Sequence, residues 1–317
     1  MADPDDEHFD EHAYDVDRQH RGLSLFDFLD AVTGPLDRKA LLAAARAGRI
    51  LLNGEPALAG HTVREGDLVK LELPREQLAP PRPESLPLLY RDAELVIADK
   101  PSGLPFGESR RGGASAVDLL AEQVPGTRIV HRLDKQTSGV VVAAIGDAAE
   151  ERLDAALRES AARVEYLALA RGTLDEDAGR VDLPLGKRNR SDTRLMPDPD
   201  HGDPAATSWR VEERLRGFLV LRAVPEGGGR SHQVRAHLAA AGLPVLCDAL
   251  YGEDDRLLLS QLKLDYRPKR GRPERPLLER PALHAERFVH GPRTVVSPLP
   301  EELSVVLAQL RRLRRLA

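Results

Sequence analysis

The segment Ile129-Val130-His131-Arg132-Leu133-Asp134-Lys135-Gln136-Thr137-Ser138-Gly139-Val140-Val141-Val142 sets a carboxylate among cations and two hydroxyls, in a polar stretch between apolar runs. Functional side chains concentrate in such loops because the scaffold on either side can aim them. Cations beside Asp134 favour its charged form, which a nucleophile or a general base needs. An Asx-type hairpin turn with surface charges fits the same residues equally well. A second cluster, Gly227-Gly228-Gly229-Arg230-Ser231-His232-Gln233-Val234-Arg235, joins a glycine turn to a helix expected over residues 231–241. Backbone donors and the dipole at such a helix start attract an anion. The cluster has neither the Gly-Lys-Ser/Thr of a P-loop nor the spacing of a dinucleotide fingerprint. His232 and His237, five apart, face different sides of a helix, and Cys247 is the only cysteine, so no metal is predicted.

The elements that must position these groups fall into blocks. Residues 1–20 carry eight acidic groups and one basic group, few core formers, and are expected to be a disordered acidic tail. Residues 21–74 form a small unit. It has helices around Leu25–Val32 and Asp37–Ala47, a run Ile50-Leu51-Leu52 into an Asn53-Gly54 hairpin turn, and an alternating strand over Leu68–Leu73. Residues 75–87 make a proline-rich linker, since Pro74 through Pro87 contains five prolines. Residues 88–317 form the larger domain. Strands are expected at Glu94–Ala98, on both sides of residues 131–139 and at Arg163–Ala170; helices near Ser115–Gln123, from Asp147 with Glu150 completing a capping box, and through Leu303, Val306, Leu307, Leu310 and Leu313. Without regular βα alternation the class is α+β.

Charge is unevenly distributed. The chain carries −5, but residues 1–20 hold −7 of it, which leaves the body at +2. From Lys263 onward thirteen Lys or Arg face six acids, with Arg267, Lys269, Arg270, Arg272 and Arg275 in one proline-rich stretch. That asymmetry suits a polyanion, although a solvated basic face has the same composition. No apolar run approaches the ~20 residues that cross a bilayer, so no membrane role is expected. The N-terminus has no secretory pattern, and a lone cysteine excludes an intrachain disulfide, which together fit a reducing cytoplasm.

His-Arg-Leu-Asp followed two residues later by Thr-Ser-Gly resembles the central signature of the RluA-type RNA pseudouridine synthases, and His131 stands where the small-subunit rRNA branch has Gly. Further matches fall in the family's order: Lys100-Pro101-Ser102-Gly103, Tyr166, Gly229 to Arg235, Asp248 with Tyr251-Gly252, and Leu283-His284-Ala285, together spanning residues 88–300. The resemblance implies the pseudouridine synthase fold, a mixed, mostly antiparallel sheet with flanking helices and a central cleft. It implies a cofactor-free reaction that breaks uridine's glycosidic bond, turns the uracil and joins its carbon 5 to the ribose. Asp134 would be the essential carboxylate, Arg230 its ion-pair partner, and Tyr166 the ring that stacks on the everted base. Arg132 would fill the vacated space or hold a phosphate, with His131, Lys100 and Arg235 as further RNA contacts. Two positions depart from the family: Val164, where many relatives are basic, and Cys247, where they have Gly. The small unit resembles the RNA-binding module of ribosomal-protein-S-four type, which assigns Arg38, Lys39, Arg46 and Arg49 to a phosphate-binding face. The expected partner is RNA, large-subunit rRNA ahead of tRNA, and the expected state a monomer. A non-catalytic ribosome-assembly factor should have lost Asp134, Tyr166 or Arg230, and a glycoside hydrolase should show a second opposed carboxylate.

Overall fold

The computed structural model describes residues 9–33, 38–58, 60–74, 83–107, 115–187, 194–263, 265–267 and 274–315. These form two compact units, one ending at Pro83, the other running from Glu84 to Arg267 and from Glu274 onward.

In the first unit, α1 (Leu25–Thr33) and α2 (Arg38–Arg46) bury Leu25, Phe28, Leu29 and Leu41 with Ile50, Val69 and Leu71 of a four-stranded sheet. The sheet order is β1 (Phe9–Asp15), β4 (Leu68–Pro74), β2 (Ile50–Leu52), β3 (Glu55–Pro56). Asn53 and Gly54 both take positive φ, 53° and 89°, which closes the β2–β3 turn. The Asn53 side chain donates to Asp67 and accepts from the Leu68 N–H, tying that turn to β4. The expectation of a disordered tail is corrected from Phe9 onward, because β1 pairs antiparallel with β4 from Phe9↔Pro74 to Asp15↔Leu68. Backbone pairing is indifferent to side-chain charge, and Val16 just beyond the strand is buried. Residues 1–8 of the tail and 75–82 of the expected linker lie outside the described residues.

In the second unit ten strands form one sheet. Its path is β10 (Ala178–Asp182), β13 (Ala206–Leu215), β14 (Phe218–Pro225), β9 (Ala162–Arg171), β15 (Leu283–His290), β8 (Ser138–Ile145), β6 (Leu95–Lys100) and β5 (Leu88–Arg91). Off this path β7 (Thr127–Ile129) pairs with β8 and β16 (Arg293–Val296) with β15; β11 (Leu185–Lys187) and β12 (Leu195–Pro197) make a separate hairpin. The helices are α3 (Ala116–Gln123), α4 (Asp147–Arg158), α5 (Gln233–Ala240), the short α6 (Leu259–Leu262) and α7 (Glu301–Leu313). This mixed sheet with helices confirms the α+β class. β8 is buried from Ser138 to Ala144, and β9 from Val164 to Ala170, on both faces. Their near-continuous Val, Leu and Ala runs are what two-sided burial selects.

One helix start differs from expectation. Ser115 caps α3 in a full capping box with Asp118, but α4 begins behind Gly146, which makes no side-chain cap. Gly146, at φ 85°, turns the chain out of β8 so tightly that Asp147 is already the first helical residue. Its carboxylate pairs with Arg128 instead.

Two antiparallel halves of the sheet meet where β15 runs parallel to β8, with His284↔Ser138 and Ala285↔Gly139 in register. Gly139 has φ +119°, and a Cβ there would lie 2.1 Å from the Ala285 carbonyl oxygen. Only glycine allows this joint. Gly139→Ala should therefore cost more than about 3 kcal/mol; urea unfolding checks this, and a midpoint near wild type would show that the joint tolerates a side chain.

Candidate active site

Asp134 sits in the loop between β7 and β8, and that loop is held by its own backbone. The Thr137 N–H donates to the Asp134 carbonyl (3.1 Å) and the Gly103 N–H to the Lys135 carbonyl (2.8 Å). Two buried cations hold further carbonyls: Lys100 Nζ donates to those of Pro101 (2.8 Å) and Lys135 (3.1 Å), and Arg280 to that of Gln136 (3.3 Å) and to Ser138 Oγ (3.2 Å). Ser138 can then donate to His284 Nδ1, whose Nε2 faces the Ser297 carbonyl. Lys100 was expected to contact RNA. It is fully buried, and burial first, then Arg280, push its pKa down to about 7 against the pull of Asp134. Its place is beneath the loop.

The Asp134 carboxylate is only 12% exposed. Oδ2 accepts from Arg235 Nη1 (3.1 Å), and Oδ1 accepts from Ser231 Oγ and the His232 N–H, both at 3.3 Å. Arg235, in the first turn of α5, also grips Asp248 with two bonds of 2.7 and 2.6 Å. Asp248 is wholly buried, and its Oδ1 accepts the N–H groups of Leu250 and Tyr251 as well. Burial opposes the charge on Arg235, but Asp248 and then Asp134 outweigh it and raise its pKa. The guanidinium carbon lies 5.1 Å from the centre of the Tyr251 ring, and that hydroxyl is 3.2 Å from His232 Nδ1. His232 sits at φ 60°, a left-handed conformation that turns its N–H onto the carboxylate.

Two expectations change here. The partner of Asp134 is Arg235, not Arg230, which pairs with Asp203 (2.7 Å) at the cleft's exposed rim. The helix starts at Gln233, so Arg230 belongs to the preceding loop, while Arg235 is carried inward. Arg235, expected to contact RNA, is consumed by two carboxylates and buried.

Tyr166 on β9 lines the cleft, its hydroxyl 2.9 Å from His131 Nε2. His131 is not an exposed RNA contact either: burial pushes its pKa down to about 4, so the ring is neutral, and its Nδ1 has no hydrogen-bond partner. Burial first, and Asp134 second, raise the Tyr166 pKa, so the phenol keeps its proton. Arg132, beside Asp134, is exposed as expected. On the first unit Arg46 is exposed and Arg49 half-buried; the side chains of Arg38 and Lys39, and residues Lys269, Arg270 and Arg272, lie outside the described residues. Asp134, Thr137, Tyr166, Arg230, His232 and Leu283 surround a cavity of about 20 Å³, room for one water. Among the described residues no three His, Cys, Asp or Glu side chains could share a metal ion.

Asp248, Ser231, His232 and Tyr251 serve Asp134 without having been assigned a role from sequence. All four lay inside matched motifs, but spacing along a chain cannot tell which of two arginines reaches a carboxylate a hundred residues away.

The family described as RNA pseudouridylate synthase matches residues 94–240. The chain is 33% identical over 301 residues to a ribosomal large subunit pseudouridine synthase D of Xanthomonas campestris, covering 89% of this chain and 88% of that one. It is 28% identical to a ribosomal large subunit pseudouridine synthase C of Haemophilus ducreyi, covering 94% and 95%. Human RNA Pseudouridylate Synthase Domain Containing 4 shares the fold at a TM-score of 0.55 and 24% identity, over 71% of this chain and 92% of that one.

Two outcomes follow from this geometry. Arg235→Ala strands buried Asp248 and should cost about 3–5 kcal/mol, whereas Arg230→Ala, at an exposed pair, should cost less than about 1 kcal/mol; denaturant titration of both variants reads the contrast, and equal losses would contradict the assignment of partners. His131 has a folded pKa near 4 against 6.5 unfolded. Between those values the unfolded chain takes up a proton that the folded chain does not, so stability drops as pH falls from 6.5 toward 4. His131→Asn should remove that dependence, flattening the stability profile by up to about 1.4 kcal/mol per pH unit when unfolding is compared at pH 7, 6 and 5.

Proposed function

Because this chain belongs to the RNA pseudouridylate synthase family, we propose that it isomerises specific uridines of large-subunit ribosomal RNA, with Asp134 as the carboxylate that acts on the ribose. The observation that carries this reading is the pinned carboxylate itself: one acid, held on both oxygens, facing a neutral tyrosine across a cleft with arginines at its rim. An ionised carboxylate can stabilise positive charge at the sugar's anomeric carbon, bond to it, or accept a proton, and needs no cofactor for any of these. The Tyr166 ring offers a face to the everted uracil, and its retained proton leaves a hydrogen-bond donor available. Arg132 and Arg230 stand exposed where the flanking phosphates pass. Their roles, like that of Asp134, belong to this proposal.

The large-subunit substrate rests on the names of the relatives, and the small first unit, with Arg46 and Arg49, fits an RNA-binding appendage that works with it. We assign the enzyme to the cytoplasm as a monomer; none of its described helices is long and apolar enough to cross a membrane.

Carbodiimide mapping of rRNA and tRNA from cells with and without the gene tests the reading. One or more pseudouridines should vanish from large-subunit rRNA, and a gene carrying Asp134→Asn should fail to restore them although the protein accumulates normally. Loss confined to tRNA would refute the substrate, and unchanged maps the function.

A further inference from the structure

An open groove of about 460 Å³ in the second unit is lined by Arg163, Glu165, Ser208, Arg210, Arg222 and Arg287 among others. It lies on the opposite face of the sheet from Tyr166. Side chains alternate along β9, so Arg163 and Glu165 share one face and Tyr166 the other. Register extends this assignment, since Arg287 pairs with Glu165, Arg222 with Arg210 and Val224 with Ser208, and cross-strand partners share a face. Helix α5 packs on the other side, through His237 and Gln233 onto Thr207.

The charges here are layered. Arg222, only 4% exposed, draws Glu212 (2.8 Å), Glu286 (2.8 Å) and Glu165 (3.5 Å) toward the sheet. Each glutamate then takes one outer arginine: Arg163 is 42% exposed over Glu165 at 10%, Arg210 59% over Glu212 at 31%, and Arg287 37% over Glu286 at 17%. The ion pairs nearly balance in number, and in the pairs made by Arg163, Arg210 and Arg287 the guanidinium is more exposed than its glutamate. Arg163 and Arg287 come nearest their glutamates through Nε, at 2.9 Å in both pairs. A guanidinium also carries two Nη nitrogens, whose edge matches a phosphate in two parallel bonds. Arg180, on neighbouring β10, is half exposed and pairs in register with Ser208, so it extends the same face.

We propose that this groove is a second docking surface for RNA, taking the phosphate backbone of a part of the substrate remote from the uridine being isomerised. The inference rests on the reading of the chain as an RNA pseudouridine synthase and adds where a large RNA is gripped. Positive charge displayed along an open groove attracts a polyanion, and the outer arginines here stand farther into solvent than the glutamates they pair with.

The test compares the full-length enzyme on two RNAs, a protein-free large-subunit rRNA transcript and a stem-loop of about twenty nucleotides carrying the mapped uridine. Arg163→Gln with Arg287→Gln should turn over the stem-loop at the wild-type kcat/KM. The same variant should bind the long transcript roughly tenfold more weakly, with a log–log salt slope shallower by between about one and two. Arg163→Lys with Arg287→Lys keeps the charge and should keep most of the long-RNA affinity. Unchanged affinity and slope in the glutamine variant, a loss falling equally on both RNAs, or a defect only in binding an acidic protein would each overturn the docking surface. A wild-type enzyme inactive on both RNAs would sink the pseudouridine reading and the surface together; an active wild type with an unaffected glutamine variant sinks the surface alone.

Discussion

Arg235 lies between Asp248 and Asp134, and because both carboxylates are largely out of water, none of the three charges can stand without the others. A buried ion pair of this sort adds little stability over an apolar replacement, since desolvation offsets most of the attraction; its effect is on geometry. Asp248 takes two arginine bonds and two backbone N–H groups, so the far end of the guanidinium is immobile. The near end is then a fixed point against which Asp134 Oδ2 is held, while Ser231 and His232 fix Oδ1. A carboxylate held on both oxygens and lining the cleft is oriented by the protein itself.

That orientation draws on strained or crowded backbone elsewhere. His232 and Cys247 both adopt left-handed φ, near 60° and 58°, at the two chain segments that present Arg235 and Asp248. Cys247 thus accepts a conformation that costs an L-residue about 1 kcal/mol, and its side chain is buried against the Leu278 carbonyl. The loop bearing Asp134 is stiffened in a different way, by Lys100 and Arg280 donating to carbonyls that no strand or helix satisfies. Lys100 and Arg280 underneath and the Arg235 guanidinium alongside surround Asp134 with basic groups, which favours its charged form.

Much of this was legible in the chain because the signals were local. The Asn53-Gly54 turn, the helix starting near Ser115 and the apolar runs of β8 and β9 each act through neighbours in sequence, and each appears where expected. Asp134 was legible from its motif, and the fold from the order of motifs. What failed were judgements of partnership and depth. Arg230 and Arg235 are the same residue type in the same motif, and only the exact start of α5 decides which turns inward. Lys100 and His131 read as polar and therefore exposed, yet both are buried, Lys100 against backbone carbonyls and His131 against the Tyr166 hydroxyl. The acidic tail failed for a related reason: composition measures whether side chains can build a core, whereas β1 forms through its backbone on an existing strand edge.

The same distinction bears on charge. A formal −5 argues against an RNA enzyme only if charges act as a sum, and in this chain they do not. Around Asp134 one guanidinium, Arg235, is shared by two largely buried carboxylates, while Arg132 and Arg230 are exposed. On the far face of the sheet Arg222 pulls three glutamates inward and pushes the outer arginines into view. Setting Glu165 and Glu286 deeper than the arginines they pair with turns a nearly balanced set of ion pairs into one whose positive ends lie nearer the solvent. What a charged partner meets is decided by which end of each pair is exposed, and a total of −5 does not record that.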